Sequence, residues 1–356
     1  MASGLWRDAW PPLTALSRPH TETSGNPSVD RSIGFILDHY HHWMHTGDLG
    51  VVAEHWTRLE ACLMRLRRMC ETEGRLTLEG LDSAGLWMDD AGDLALEDKL
   101  GAANLYLLHM LDAACELAFA FAPSRLTELQ LWRETLAASV EARFFHRGSG
   151  TFVINPDEVA AGGEPRFDER SLAHHLLRTQ PGDARPALDL LRENSPWVAR
   201  SSPINLVWTF WALVRHGAAM VALDDLRTRW AEMPSVRENG TVGDRWAPSS
   251  EDEPFSSCVV APLTFAHGGL LGLRPTRPGY AEYEIHPQLG GLGRFETVAH
   301  TPAGAIRFLA EAEGNGHRVT LTTPRYGRGW IVRAGELQPL RPGMREVVHL
   351  VATNIL

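Results

Sequence analysis

The feature that most constrains this chain is a change in the spacing of its apolar residues near residues 275–279. Before that point they recur about every 3.6 residues over long stretches, the signature of amphipathic helices. After it, short apolar-alternating runs are divided by Gly, Pro and Asn, as in antiparallel strands. Asp30 to Thr46 carries Ile33, Ile36, Leu37, Tyr40, Trp43 and Met44 on a helical face, and Thr46-Gly47-Asp48 makes a turn before Leu49 to Glu71 repeats the pattern. Leu100 to Phe121 and Leu126 to Phe145 form a second hairpin around Pro123-Ser124. A short strand follows at Thr151 to Ile154, then shorter helices at about 168–179 and 184–193, and a stronger pair at about 204–215 and 218–232. Arg237 to Pro254 reads as polar and turn-rich, and Ser256 to Leu273 as a last helix. Tyr280–Ile285, Ile306–Leu309, Val319–Thr322 and Trp330–Val332 read as strands. The expected division is an irregular lead-in over 1–27, helical hairpins over 28–277 and a β domain over 278–356. The hairpins are unequal and share no repeated motif, which favours a closed arrangement over an open solenoid.

At 356 residues, with 44% hydrophobic and 22% charged residues, the composition is that of a folded globular protein. The net charge of −10 repels phosphate backbones and anionic lipid surfaces, so neither nucleic acid nor membrane is an expected partner. The longest strongly apolar run, Leu206 to Val214, is too short to span a bilayer, and the opening residues carry Arg7 and Asp8 with no apolar core of a signal peptide. A cytoplasmic location is the expectation. Cys62, Cys70, Cys115 and Cys258 contain no CxxC pair, and no disulfide is expected.

Several blocks, taken in one order, resemble the α-L-rhamnosidases of glycoside hydrolase family 78. Asp38-His39-Tyr40-His41-His42-Trp43-Met44-His45-Thr46-Gly47-Asp48-Leu49, with Trp56 and Leu59 behind it, is similar to that family's hairpin around Thr-Gly-Asp. Leu100-Gly101-Ala102-Ala103-Asn104-Leu105-Tyr106 resembles its Asn-bearing barrel helix. Ser201-Ser202-Pro203 through Met233 resembles the hairpin before the catalytic-base loop, and Leu271 to Gly304 the junction with a C-terminal β-sandwich. The resemblance implies a mainly α fold, an (α/α)6-barrel-like six-hairpin toroid, truncated here to nine or ten helices, followed by a small antiparallel β-sandwich. It also implies inverting hydrolysis, which needs two carboxyl groups about 6.5 to 9.5 Å apart, one protonating the leaving group and one activating water.

The family's base loop is matched by Gly240-Thr241-Val242-Gly243-Asp244-Arg245-Trp246, with Asp244 where the family has glutamate. An aspartate base is one methylene shorter, which brings the water about 1.5 Å closer to the backbone. The family's Arg-Asp-Glu acid segment has only a faint echo in Trp6-Arg7-Asp8-Ala9-Trp10, and the histidine before its last barrel helix has no counterpart in Phe255 to Pro262. The candidate acids are therefore Asp89, Asp90, His267 and Glu251. Trp87, Trp246, Trp208, Trp211 and Trp43, with Arg245, are candidates for stacking and hydrogen-bonding a sugar. His41 and His45 share a helical face as metal ligands would, but Tyr40, Trp43 and Met44 fill the apolar face and no HExxH accompanies them, so no metal is expected. No Gly-rich phosphate loop or GxSxG signature is present, so no cofactor is expected either.

Three functions remain open from sequence: a glycosidase acting on a glycoside or sugar-derived small molecule; a repurposed barrel performing acid–base cyclisation, elimination or isomerisation on a specialised metabolite; and a non-catalytic sugar- or partner-binding protein. An incomplete barrel would leave apolar helix faces for a homodimer to cover.

Overall fold

The computed structural model describes residues 28–81, 86, 94–180, 183–193, 195–243, 245–246, 261–333 and 335–351. The chain divides into two compact units, one of residues 1–41 and 49–205 and one of residues 42–48 and 206–356.

The first unit is helical. Helix α1 (Val29–Thr46) buries Ile33, Ile36 and Leu37, and α2 (Gly50–Arg68) buries Val52, Leu59, Leu63 and Leu66, as their 3.6-residue spacing demands. After the single turn α3 (Leu78–Leu81) comes the longest helix, α4 (Leu96–Phe121), buried along most of its length. Small residues at Gly101, Ala102, Ala103, Ala113 and Ala114 let neighbours approach α4 closely. Asn104 on α4 is fully buried and fully used: its Oδ1 accepts from the Leu76 N–H at 2.8 Å, and its Nδ2 donates to the carbonyls of Leu76 at 3.1 Å and Leu100 at 2.9 Å. The loop after α2 is thereby fixed to α4. Helix α5 (Leu126–Phe144) completes the hairpin, and β1 (Phe145–His146) pairs with β2 (Thr151–Phe152). A short helix α6 (Pro156–Ala160) leads to β3 (Phe167–Asp168), then α7 (Glu169–Arg178) and α8 (Arg185–Arg192). Strand β4 (Val198–Ala199) pairs in parallel with β3, so the segments before α7 and before the next helix lie side by side.

The second unit begins with α9 (Leu206–Arg215) and α10 (Ala219–Asp225), the latter running on as a π-helical turn over Leu226–Trp230. A helix not expected from the polar sequence, α11 (Pro234–Asn239), follows, with Pro at its first position. The α-helical turn α12 (Ala261–Thr264) passes into a π-helical stretch over Phe265–Leu270. Eight strands then form two four-stranded sheets. One has the order β11 (Glu336–Leu340), β10 (Arg328–Arg333), β6 (Glu282–Ile285), β5 (Leu273–Arg277). The other has the order β12 (Arg345–Val351), β9 (Gly316–Thr322), β8 (Gly304–Glu313), β7 (Arg294–Thr301). Leu273, Tyr283, Ile285 and Ile331 of the first sheet share one core with Ile306, Phe308, Val319 and Leu321 of the second, which makes a β-sandwich. The sandwich is antiparallel as expected, with one exception: β6 and β10 pair in parallel. The chain leaves β6, builds β7 to β9 and returns, a crossover that a hairpin-only topology does not contain. Strand structure also starts at Leu273, ahead of residue 278.

Within the second unit the Thr46-Gly47-Asp48 turn has a structural role. Gly47 and Gly279 both adopt left-handed φ, +77° and +66°, and a Cβ on Gly47 would sit 3.2 Å from the Gly279 Cα. Among the described non-glycine residues Tyr280 alone has positive φ, 58°, and its hydroxyl is hydrogen-bonded to His45 Nδ1 at 2.9 Å. Burial raises the tyrosine pKa and lowers that of the histidine, so the bond is one between neutral groups.

Candidate active site

In the helical unit, titratable and aromatic side chains of α4 and α7 come together. Tyr106 and His109 stand three apart on α4, on one face, and both meet His174 of α7: the Tyr106 ring stacks on it with centroids 4.6 Å apart, and His109 lies at 5.6 Å. Burial, followed by the charges of His109 and Arg170, holds the His174 imidazole well below its ordinary pKa, so it is neutral at physiological pH. The Tyr106 hydroxyl reaches α1 at Gly34, 3.4 Å from the position a Cβ would take there. One turn further along the same face of α1 is Asp38. Its side chain is exposed, yet protein surrounds it on most sides, and desolvation alone pushes its carboxyl up to about 6. Burial, then the charges of Asp38 and Asp30, raises the Tyr106 phenol.

The start of α7 holds two further carboxylates in a different state. Asp168 is fully buried; it caps the helix by accepting from the Arg170 N–H at 2.8 Å and takes a bidentate bond from Arg170, Nε to Oδ1 at 2.9 Å and Nη2 to Oδ2 at 2.6 Å. Glu169, also buried, accepts from the Ser201 N–H at 2.9 Å and from Arg200 Nη1 at 3.2 Å. Both serve to fix the β3–β4 junction.

In the second unit, the loop expected to carry the base is anchored on both sides of residue 244. Gly240 ends α11 in a left-handed conformation, the Thr241 N–H donates to the Ser235 carbonyl at 3.1 Å, and the Gly243 N–H to Ser235 Oγ at 3.1 Å. Beyond 244, the Trp246 ring packs at 5.5 Å against Trp230 and lies 4.1 Å from the Arg229 guanidinium carbon, a cation–π contact. Asp225 braces that pair, accepting from Arg229 Nε at 2.9 Å and from the Trp230 indole N–H at 3.0 Å.

Of the residues expected from sequence, Asp244, Asp89, Asp90, Glu251 and Trp87 lie outside the described residues, as does Cys258. Trp246 is half-buried with its ring engaged by Arg229, and Arg245 beside it is half-buried. Trp208 and Trp211 are half-buried on α9 in a T-shaped pair, centroids 5.4 Å apart, while Phe210 between them turns inward onto Phe265. Trp43 is half-buried near the end of α1. His267 is exposed and hydrogen-bonds Thr297 Oγ1 of β7 at 3.1 Å, which places it on the sandwich side of its π-helical stretch.

The histidines of α1 have separate partners. His39 Nδ1 donates to the Phe35 carbonyl at 2.7 Å, which leaves its Nε2 to accept from His55 Nδ1 at 2.8 Å; His42 contacts Thr46 Oγ1 at 3.1 Å, and His45 contacts Tyr280. Among the described residues no three His, Cys, Asp or Glu side chains gather as a metal site, and no helix is long and apolar enough to cross a membrane. A surface groove in the helical unit, lined by Trp56, Leu63 and Trp132, contains none of the expected site residues. Asp38 and Tyr106 stand in the sequence blocks that resemble the rhamnosidases, and His174, adjacent to His175, reads from sequence as no metal ligand; none of the three was expected as a site residue.

No protein-family model and no curated protein sequence matches the chain. Solved structures do. The chain is similar to a family 78 rhamnosidase of Bacillus sp. GL1, with 18% identity and a TM-score of 0.69 over 86% of this chain and 33% of that one. It is also similar to an α-L-rhamnosidase from Dictyoglumus thermophilum, at 11% identity and a TM-score of 0.70 over 91% and 39%. A third is the Streptomyces avermitilis α-L-rhamnosidase complexed with L-rhamnose, at 16% identity and a TM-score of 0.65 over 86% and 29%. The chain thus spans about a third of the length of these proteins. At these identities the likeness shows the fold: mainly α, helical hairpins followed by a β-sandwich, as in part of the α-L-rhamnosidases.

Proposed function

We propose that the protein is a glycosidase-like enzyme that acts on a glycoside or a sugar-derived small molecule by acid–base hydrolysis, with Asp244 activating the water. The observation that carries this reading is the shared fold with three α-L-rhamnosidases over most of this chain. Fold alone does not determine chemistry, so the residues must support it. They do so in two ways. The segments flanking residue 244 are pinned by Ser235 on one side and by Arg229 and Trp230 on the other, the rigidity a base needs to hold a water in line with its target. Trp208, Trp211 and Trp43 are half-buried aromatics, the residue type that packs against sugar rings.

The test is turnover of aryl α-L-rhamnosides and a panel of related aryl glycosides by the wild type and by Asp244→Asn. The expected result is release of free sugar by the wild type and a loss of at least about 100-fold in the variant, the usual contribution of a general base. A folded wild type that releases no sugar from any member would contradict hydrolysis and favour the repurposed barrel, for which the aspartate at the family's glutamate position already argues. Retained sugar binding with no turnover in either protein would identify a binding protein.

A further inference from the structure

We propose that the face of α2 bordering α5 is where a second copy of this chain docks, the two α2 helices antiparallel about a two-fold axis that passes between Leu63 and Met64. This surface lies within the helical unit and involves none of the residues assigned to hydrolysis. Trp56, Glu60, Leu63, Met64 and Arg67 recur at the spacing of one helical stripe, and all of them line the groove that Leu129 and Trp132 of α5 close on the other side. The apolar part of the stripe reaches solvent: Met64 is 55% exposed, and the exposed Phe121 at the end of α4 packs on Trp56 with ring centroids 5.2 Å apart. Around it runs a rim of two acids and two bases. Arg125 pairs with Glu60 at 3.2 Å and with Glu128 at 2.8 Å, and Arg67 pairs with Glu128. The rim is therefore neutral in a chain of net charge −10, and its four side chains keep 33% to 45% of their exposure. A neutral rim attracts neither a strongly acidic nor a strongly basic partner; it matches a surface on which the two signs alternate at the same spacing. α2 itself carries that spacing. Glu60 and Arg67 stand seven residues, two turns, apart on one face, with Leu63 and Met64 at the midpoint. Two antiparallel copies crossing at that midpoint set each Glu60 level with the other copy's Arg67, so both opposite-charge pairs form together while Met64 closes the centre. Helix axes about 8 to 10 Å apart bring these side chains within reach of one another. A parallel pair would set like charges against like.

The experiment is sedimentation velocity on the full chain, with folding of each protein checked by circular dichroism. As concentration rises toward about 100 μM, the wild type should move from the chain mass of 39.4 kDa toward twice that mass. Glu60→Arg and Arg67→Glu each place like charges across the axis twice, so each variant alone should associate at least about 10-fold more weakly and sediment as a monomer. An equimolar mixture of the two restores opposite charges in both pairs and should regain the dimer mass. Rescue by mixing is the outcome that a role confined to one chain's own ion pairs does not produce. Met64→Lys breaks the central contact without touching an ion pair; it should be monomeric, and it serves where a charge variant folds poorly. A wild type that stays monomeric at about 100 μM would overturn the docking surface. Variants that dimerise as the wild type does, or a mixture that stays monomeric, would overturn it as well.

Discussion

Asp38 and the Asp168–Glu169 pair, all in the helical unit, show two ways in which one fold treats a carboxylate. At the start of α7 each acid has an arginine and a backbone N–H within hydrogen-bond distance, so both are used to hold β3 beside β4. On α1 the acid has water on one side and protein around the rest, and its carboxyl stays protonated to higher pH. Burial with a partner makes a carboxylate structural, whereas partial burial without a cation makes it a group that exchanges a proton near neutral pH.

The comparison can be broken most forcefully at Arg170. Arg170→Ala leaves the fully buried Asp168 without its guanidinium, and unfolding in urea should show a loss of about 3 to 5 kcal/mol. A loss below about 1 kcal/mol would mean that the pair is not a structural clamp. Glu169→Gln keeps an acceptor for the Ser201 N–H but loses the charge facing Arg200; the expected loss is about 1 to 3 kcal/mol by the same measurement. The smallest effect is of opposite sign. Folding raises the Asp38 carboxyl from its ordinary value of 3.8 to about 6, so ionisation costs the folded state more than the unfolded one. That penalty is absent below about pH 4, grows between pH 4 and 6, and is complete above about pH 6. Asp38→Asn should therefore raise Tm at pH 7.5 by about 2 °C, an amount already discounted for solvent screening of an exposed group, and leave it unchanged at pH 4. Equal Tm at both pH values would contradict the desolvation argument.

Most helices were legible because apolar spacing is a local property. The expected Asp30–Thr46, Leu126–Phe145 and 184–193 correspond to Val29–Thr46, Leu126–Phe144 and Arg185–Arg192. The strands were less so. β5 and β11 contain Pro275 and Pro339, which argue against strand in sequence; both are edge strands, where a missing N–H is tolerated. α11 is short and polar, with no buried residue to mark a face. The site was least legible. Trp246 reads as a sugar-stacking residue, but the Arg229 that occupies its ring is 17 positions away and reaches it only through the fold. Asp38 reads as one acid on an amphipathic helix, and its desolvation is a property of the folded chain that no spacing rule reports.

The most direct test of this account is the titration of the Asp38 carboxyl carbon by NMR in the intact protein, assigned by comparison with Asp38→Asn. The account predicts a midpoint of about 6, separated from the surface aspartates. A midpoint near 4, with the exposed carboxylates, would show that Asp38 is an ordinary solvated acid and would contradict its selection as the proton-exchanging group of the helical unit.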